Sequence, residues 1–200
     1  HKGTMRLNFH SQICLRVTVA LLLVGTIGFF ILEYDHTMAE LNIFEKLNCA
    51  FFQSTNTRTA GFASVDIGAQ YEFTKILSVL LMFIGACPGS TGGGIKTTTF
   101  MVLVVTVMCT IRGKNEAVIF RHRFSVPTVY KALSVSLVAF LLVFVDAGVI
   151  SSLNPNIPYL DCLYEATSAF GTVGLSANVT PKLDVVSKFI LIFTMFIGRV

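Results

Sequence analysis

Apolar residues are gathered in long runs along this chain, and short polar stretches separate the runs. Charge-free or nearly charge-free runs occupy residues 17–32, 76–95, 97–111, 132–145 and 189–198. A helix needs about 20 apolar residues to cross the hydrocarbon of a bilayer, and the longer runs approach that length. The pattern therefore predicts an all-α polytopic membrane protein.

The first apolar run is predicted to be a transmembrane helix. Residues 17–32 follow 16 polar and basic residues and precede acidic residues and further apolar runs. A signal peptide would instead end in a small-residue cleavage site, so this interpretation is excluded.

The chain contains an internal duplication, because residues 47–85 recur without a gap as residues 160–198. The matched positions include Cys49 with Cys162, Thr59 with Thr172, Gly61 with Gly174, Lys75 with Lys188, and residues 82–85 with 195–198. Two copies in register indicate two structural repeats of one kind.

Each repeat has a stretch that is too polar to span a membrane and too apolar to be a free loop. In residues 47–62, a segment of about 11 helical residues would be roughly 16 Å long, about half the hydrocarbon thickness. It can enter the membrane and return, but non-helical backbone at that depth must be buried or line a watery cavity. Each repeat is therefore predicted to consist of a helix, a re-entrant pore loop and a second helix, in that order.

The residue types in the two turns are those of a cation filter. The predicted filter residues are Thr57, Arg58, Thr59, Ala60 and Gly61 in the first repeat and Gly171, Thr172, Val173 and Gly174 in the second. Glycine lets successive carbonyl oxygens face a common axis, where they can replace the hydration shell of a monovalent cation. Either turn alone could be an ordinary glycine turn, but two turns matched in register favour the filter.

A glycine-rich segment, residues 85–94, interrupts the second helix of the first repeat. The apolar span from Ile76 to Ile111 is longer than one crossing requires, and glycine with proline breaks a helix. The segment is predicted to be a non-helical insertion and a candidate moving part beneath the pore loops. The candidate gate residues are Gly85, Pro88, Gly89, Gly92, Gly93 and Gly94. Close helix packing through small residues is the alternative, which a continuous glycine run does not require.

The same segment nearly spells a phosphate-binding loop. From Gly89 to Thr97 the spacing differs from G-x-x-x-x-G-K-[ST] by one inserted residue. That motif must also follow a buried strand in a soluble nucleotide-binding unit, whereas the flanks here are transmembrane runs. Nucleotide binding by this chain is not predicted.

Charge distribution agrees with a membrane topology. Hydrophobic residues make up 54% of the chain and charged residues 13%, with a net charge of +4. Basic residues cluster at Lys2, Arg6 and Arg16 and at Arg112, Lys114, Arg121 and Arg123. Acidic residues cluster at Glu33, Asp35, Glu40 and Glu45 and at Asp161 and Glu165. By the positive-inside rule the basic segments are cytoplasmic and the acidic ones face outward, so the positive charge does not indicate nucleic acid binding.

Four segments carry a family resemblance. NTRTAGF, GSTGGGIKTTTF, SAFGTVGLS and TMFIGRV together resemble the carboxy-terminal half of the Ktr-type potassium transporter membrane subunit, in the Trk/Ktr/HKT superfamily. The resemblance implies four helix, pore loop, helix repeats around one pore, of which this chain holds the third and fourth. It implies that Gly61 and Gly174 are filter glycines and that residues 85–94 obstruct the pore below the filter. It also makes Arg199 the arginine near that constriction, although Arg199 alone could equally be an anchor at the cytoplasmic end of a helix.

The resemblance also implies a biological setting. The complete membrane subunit would form a homodimer in the plasma membrane on a cytosolic ring of nucleotide-binding regulatory subunits. It would carry potassium inward, with a possible dependence on sodium. We expect no other cofactor or metal, no nucleic acid partner and no enzymatic activity, because no nucleophile and base are arranged together.

The chain divides into four expected parts and is expected to be a fragment. They are a cytoplasmic flank (1–16), a third-type pore repeat with a broken second helix (17–111), a cytoplasmic linker (112–127) and a truncated fourth-type repeat (128–200). The main functional alternative is a secondary transporter with its substrate site at the broken helix. The two repeats begin on the same side and are parallel, which favours a pore.

Two further expectations concern side chains outside the carbonyl path. Arg58 should face neighbouring helices or the outer mouth, because a cation aimed at the pore would repel potassium, and Asp146 is a candidate partner for it. The five cysteines contain no C-x-x-C pair and are predicted to be small apolar fillers.

Overall fold

The computed structural model describes residues 9–90, 92–113, 118–119 and 122–199. Its helices are α1 (Phe9–Glu33), α2 (Ile43–Asn56), α3 (Glu72–Phe83), α4 (Thr97–Ile111), α5 (Val126–Leu153), α6 (Tyr159–Phe170) and α7 (Val185–Arg199), with a short 3-10 turn at Thr180–Lys182. The linker adds a two-residue antiparallel pair, β1 (Val118–Ile119) with β2 (His122–Arg123). The predicted all-helical membrane fold is confirmed apart from this small pair.

The helices α1 and α5 are long enough to cross a bilayer. They contain 25 and 28 residues, so they are roughly 37 and 42 Å long. Only 22% of the most apolar window of each helix is buried, whereas the core helix of a soluble protein is mostly buried. Both helices extend beyond the predicted runs, and α5 begins at Val126 inside the predicted linker. Parts of that linker and of the predicted flank lie outside the described residues.

The helices α2 and α6 are too short to span. They have 14 and 12 residues, or roughly 21 and 18 Å. α2 begins earlier than the sequence pattern predicts, because the Glu45 carboxylate accepts a hydrogen bond from the Asn42 N–H (2.9 Å) and caps the first turn. These two helices are the entering arms of the predicted re-entrant loops.

The second helix of the first repeat is broken as predicted. α3 ends at Phe83 and α4 begins at Thr97, so residues 84–96 form the interruption. In the second repeat α7 starts at Val185, the repeat equivalent of Glu72 where α3 starts. The last part of the duplicated sequence therefore starts a helix at the same position in both repeats.

The two repeats pack against each other through a limited set of helices. α1 packs against α2, α3 and α4, while α5 packs against α4, α6 and α7. The repeats meet mainly where α3 packs on α6. Lys75 of α3 crosses this boundary, and its Nζ lies 2.7 Å from Asp161 Oδ1 of α6.

Two acidic residues that were predicted to lie in outward-facing loops, Glu33 and Glu165, are buried instead, and Lys46 is buried as well. Glu33 is fully buried and accepts hydrogen bonds from Thr74 Oγ1 (2.5 Å) and the Tyr71 N–H (3.1 Å), which joins the end of α1 to the start of α3. Lys46 donates to the Tyr34 carbonyl (2.6 Å), and Glu165 lies inside the second repeat. These charged groups make hydrogen bonds inside the protein, so they do not indicate which side of the membrane a loop faces.

The bridge between Lys75 and Asp161 yields a test of how the repeats are joined. Lys75→Met should lower the free energy of unfolding by about 1.5–3 kcal/mol, because it leaves a mostly buried carboxylate without its cation. Adding Asp161→Asn should recover part of that loss. The measurement is a double-mutant cycle of thermal unfolding on the purified full-length protein in detergent.

Lys188→Met is the matched control, since Lys188 is the repeat equivalent of Lys75. Within the described part of the chain, its Nζ donates to the Pro181 carbonyl at 3.5 Å. We expect a change of no more than about 0.5 kcal/mol. Strictly additive losses in the cycle would show that Lys75 and Asp161 do not act as a pair.

Candidate functional site: the pore loops and the glycine-rich loop

The backbone of the first pore loop (residues 57–61) is repeated in the second pore loop (residues 171–174). Thr59 and Gly61 have φ of 72° and 75°, and their repeat equivalents Thr172 and Gly174 have φ of 51° and 91°. Among the described residues, Asn178 is the other non-glycine residue with positive φ. The residue between threonine and glycine has negative φ in both loops, so the sign alternates.

Positive φ at a threonine is strained. The branched side chain makes this conformation a genuine outlier, at a cost of about 1–2 kcal/mol for each residue. Strain of this kind persists where the surroundings enforce it, and it clusters at functional sites. That both threonines adopt it at equivalent positions marks the two loops as one kind of site.

Each pore loop leaves directly from the carboxyl end of its short helix. In the second repeat the N–H groups of Gly171, Thr172 and Val173 donate to carbonyls of the last turns of α6, at 2.8, 3.0 and 2.9 Å. In the first repeat the Ala60 N–H donates to the Asn56 carbonyl at 3.4 Å. A helix carboxyl end carries a partial negative charge, which favours a cation placed beyond it.

The two pore loops lie against each other. A Cβ atom placed on Gly61 would be 2.5 Å from the Val173 carbonyl oxygen, closer than atoms can pack. A Cβ on Gly174 would be 3.5 Å from the Gly61 Cα, an ordinary contact. Gly61 is thus required by both its conformation and its close approach, and Gly174 by its conformation.

A buried carboxylate stabilises the segment that follows the second pore loop. Glu165 of α6 accepts hydrogen bonds from Ser176 Oγ (2.5 Å), Thr180 Oγ1 (2.8 Å) and the Ala177 N–H (3.2 Å). A cavity of about 420 Å³ lies beside it and reaches Gly174. Sequence reasoning missed this role, because the repeat equivalent of Glu165 is the exposed Phe52.

The glycine-rich loop (residues 85–94) leaves the broken helix and returns to the same point. Ile84 and Ile95 form a parallel bridge, and the Ile95 N–H donates to the Phe83 carbonyl (3.2 Å). At its tip the Ser90 N–H donates to the Cys87 carbonyl (3.1 Å). Pro88 and Gly89, with φ of 83° at Gly89, occupy the middle positions of a type II turn.

This loop touches both pore loops. The Gly93 N–H donates to Thr172 Oγ1 at 2.8 Å, and a Cβ on Gly92 would lie 3.1 Å from Thr59 Oγ1. The Gly94 N–H donates to the Gly198 carbonyl of α7 at 3.3 Å. The structure therefore brings the two predicted groups, the filter residues and the gate residues, into direct contact.

Other parts of the glycine-rich loop are equally tightly placed. A side chain on Gly85 would collide with the Gly93 carbonyl, and a Cβ on Gly93 would lie 2.8 Å from the Gly198 carbonyl. Lys96 Nζ donates to the Gly92 carbonyl at 2.5 Å. Arg199 and Gly94 line the same cavity, of about 460 Å³.

The expected pairing of Arg58 with Asp146 is wrong. Asp146 of α5 accepts a hydrogen bond from Thr194 Oγ1 of α7 at 2.5 Å. Arg58 is an electrostatic neighbour of Cys87 in the glycine-rich loop, and its NH1 atom is buried without a hydrogen-bond partner. A partner on another helix could not have been chosen from sequence spacing, because both candidates lie far from Arg58 along the chain.

A comparison with known proteins matches residues 4–200 to a family described as "TrkH: Cation transport protein". The chain is 42% identical over 195 residues to Ktr system potassium uptake protein B of Bacillus subtilis (strain 168), covering 96% of this chain and 44% of the relative. It is 36% identical over 200 residues to the potassium/sodium uptake protein NtpJ of Enterococcus hirae, covering 98% and 44%. The chain thus spans less than half the length of these relatives.

A solved structure has the same fold. The crystal structure of the potassium transporter TrkH from Vibrio parahaemolyticus matches with a TM-score of 0.70 at 23% identity. The match covers 92% of this chain and 41% of that chain.

Substitution of three glycines can distinguish the effect of backbone strain from the effect of close contact. Gly148→Ala on α5 should be neutral or stabilising, since nothing lies within 4 Å and alanine favours helix. Gly89→Ala, at an open site with positive φ, should cost about 1 kcal/mol. Gly61→Ala should cost more, because its Cβ would also meet the Val173 carbonyl.

The measurement is the thermal unfolding midpoint of each full-length variant in detergent. Equal losses for Gly61→Ala and Gly89→Ala would show that the two pore loops do not touch at Gly61.

Proposed function

Because the chain belongs to the TrkH family of cation transport proteins, we propose that it supplies two pore repeats of a potassium uptake transporter. The proposal rests chiefly on the matched alternation of φ at Thr59, Gly61, Thr172 and Gly174. Alternating φ turns successive peptide planes so that neighbouring carbonyl oxygens face one side, as a dehydrated cation requires. The names of the relatives, which describe potassium uptake, support the choice of cation.

In this proposal the filter residues are Thr57, Arg58, Thr59, Ala60 and Gly61 with Gly171, Thr172, Val173 and Gly174. Their backbone carbonyls replace the water shell of potassium, and the carboxyl ends of α2 and α6 add a favourable field. Neutral oxygen ligands bind a monovalent cation weakly enough for it to leave. The pore is completed by repeats of the full-length protein that are not in this chain.

The glycine-rich loop acts as the gate, with Gly85, Pro88, Gly89, Gly92, Gly93 and Gly94 as its residues and Arg199 beside it. Its contacts with both pore loops support this role, since a cation leaving the filter would meet it first. Hydrogen bonds at its base involve Phe83 and Ile95, so the tip can move without unwinding α3 or α4. The hydrogen bond from the Gly93 N–H to Thr172 Oγ1 connects the loop to the proposed filter.

The biological setting follows the family resemblance. The complete membrane subunit forms a homodimer in the plasma membrane, with residues 1–16 and 112–127 cytoplasmic, where a nucleotide-binding regulatory ring moves the gate. Potassium is the transported ion and no further cofactor or enzymatic role is proposed. The name of the Enterococcus relative, a potassium/sodium uptake protein, motivates a test of sodium dependence.

Gly174→Ser tests the filter. Serine at φ of 91° must shift the loop, which disturbs the carbonyls and should lower the preference for potassium over sodium. The measurement is the ratio of initial potassium and sodium uptake rates in cells that lack their own potassium uptake systems. Gly148→Ser, on the outer helix α5, is the control and should leave the ratio unchanged. An unchanged ratio for Gly174→Ser with normal membrane insertion would exclude the filter assignment.

Deletion of Gly89–Gly94 tests the gate. Removal of the obstruction should raise potassium flux in proteoliposomes, while the ratio of potassium to sodium flux stays near that of the parent because the pore loops remain. Gel filtration and thermal unfolding report whether the variant is folded. Loss of flux in a folded variant would instead favour the alternative, a secondary transporter with its substrate site at the broken helix.

A further inference from the structure

We propose that Cys14 of α1 and Cys87 of the glycine-rich loop form a reversible disulfide, with a peroxide as the oxidant, that fastens the loop to α1. The disulfide itself stands on the geometry of the two thiols. Its effect on transport rests on the proposed function of the loop as a gate.

The two thiols meet at one buried hydroxyl. Thr97 Oγ1 at the start of α4 lies 3.6 Å from Cys87 Sγ and 4.0 Å from Cys14 Sγ, and it can donate to either. Thr18, one turn after Cys14 on α1, places its Oγ1 3.6 Å from Cys87 Sγ. The thiols of Cys14 and Cys87 are also electrostatic neighbours of each other. Two cysteines from separate elements thus share one polar contact site.

The remaining cysteines do not share this arrangement. Cys162 is fully buried in the core at the repeat boundary, and Cys49 contacts Ser64 Oγ (3.6 Å). Cys109 lies near the far end of α4 from Thr97, roughly 18 Å along the helix. These three fit the prediction of small apolar fillers, whereas Cys14 and Cys87 do not.

Both paired thiols are accessible and one has a cationic neighbour. Cys14 and Cys87 are only half-buried, so a molecule as small as hydrogen peroxide can reach them. Arg58 is an electrostatic neighbour of Cys87, and the thiolate is the reactive form of cysteine. The same contact gives Arg58, whose NH1 lacks a hydrogen bond, a role outside the carbonyl path.

The chemistry balances with peroxide alone. The Cys87 thiolate attacks one oxygen of hydrogen peroxide, the O–O bond breaks, and a sulfenic acid and hydroxide form. The Cys14 sulfur then displaces the sulfenic oxygen, which leaves as water, and the S–S bond forms. In total, two thiols and one peroxide give a disulfide and two waters, and a cellular thiol reverses the reaction by exchange.

The disulfide would act on the tip of the loop. Cys87 begins the type II turn that ends at Ser90, and its partner would be a residue of α1, which packs against α2, α3 and α4. A loop fastened there cannot swing away from Thr172. Because intracellular disulfides are generally transient and regulatory, oxidation would close a transporter that works in the reduced state.

The test uses the full-length transporter in liposomes, treated with hydrogen peroxide and then with dithiothreitol. Free thiols are blocked, the protein is digested, and mass spectrometry identifies peptides linked through Cys14 and Cys87. Potassium flux is measured in the same samples. We expect the linked peptide and a loss of flux after peroxide, and the disappearance of the peptide and recovery of flux after dithiothreitol.

Two variants make the result specific. Cys14→Ser should form no linked peptide and should retain its flux in peroxide, with Cys14→Ala as a second version if the serine variant folds poorly. Cys109→Ser is the matched control and should respond like the parent. Absence of the linked peptide from the parent, or equal loss of flux in Cys14→Ser, would overturn the proposal.

The proposal and the gate assignment fail in different ways. One possible result is that the linked peptide forms without changing flux, while deletion of Gly89–Gly94 raises flux. The loop would then be the gate, but the disulfide would not hold it closed, and the proposed effect of the disulfide would be wrong. If flux is unchanged and the deletion has no effect either, the gate assignment itself is wrong.

Discussion

The structure depends on one constraint: backbone polar groups at membrane depth must find partners inside the protein or face water. Helices α2 and α6 end part-way across, so the chain beyond each has to return without a regular ladder of hydrogen bonds. The second pore loop solves this by donating from Gly171, Thr172 and Val173 back to α6. In the proposed filter, the carbonyl oxygens of the loop are the groups that bind the dehydrated cation.

Strained backbone in such a loop must be held by its surroundings. Glu165 does this in the second repeat by accepting three hydrogen bonds from the segment that follows the loop. In the first repeat the buried carboxylate of Glu33 joins the end of α1 to Tyr71 and Thr74, at the start of α3. Both carboxylates are buried and accept several hydrogen bonds, so they fix the segments that they connect.

Sequence reasoning located the pore loops because the duplication compares the chain with itself. Thr59 and Thr172 are separated by the same number of residues as Gly61 and Gly174, which can be seen from the sequence alone. The positive φ values occur at these four residues. Contacts between segments that lie far apart along the chain leave no comparable pattern in the sequence. The proximity of Cys14 and Cys87, or of Arg58 to the glycine-rich loop, depends on how helices pack, which hydropathy does not encode.

The burial of Glu33 and Glu165 could not be predicted from their charge, for a related reason. Glu33 directly follows an apolar run and Glu165 lies in a more polar stretch between two runs. Acidic residues at such positions typically face water, so the sequence predicts that both lie in outward-facing loops. Their burial depends on hydroxyl and N–H donors that come from later segments, such as Thr74 and Thr180. The position of a carboxylate next to an apolar run therefore does not show whether it is buried or exposed, because that depends on the hydrogen-bond donors around it.

The two repeats have diverged at the positions where they do different work. The repeat equivalent of Glu165 is Phe52, and the repeat equivalent of Gly171 is Arg58. A third difference is the glycine-rich loop, which leaves the first repeat yet donates its Gly93 N–H to Thr172 of the second. A loop that touches both threonines must lie between the repeats, and small residues are the ones that fit there without displacing the strained backbone on either side. The run of glycines is thus explained by its position against two pore loops as well as by the break it makes in a helix.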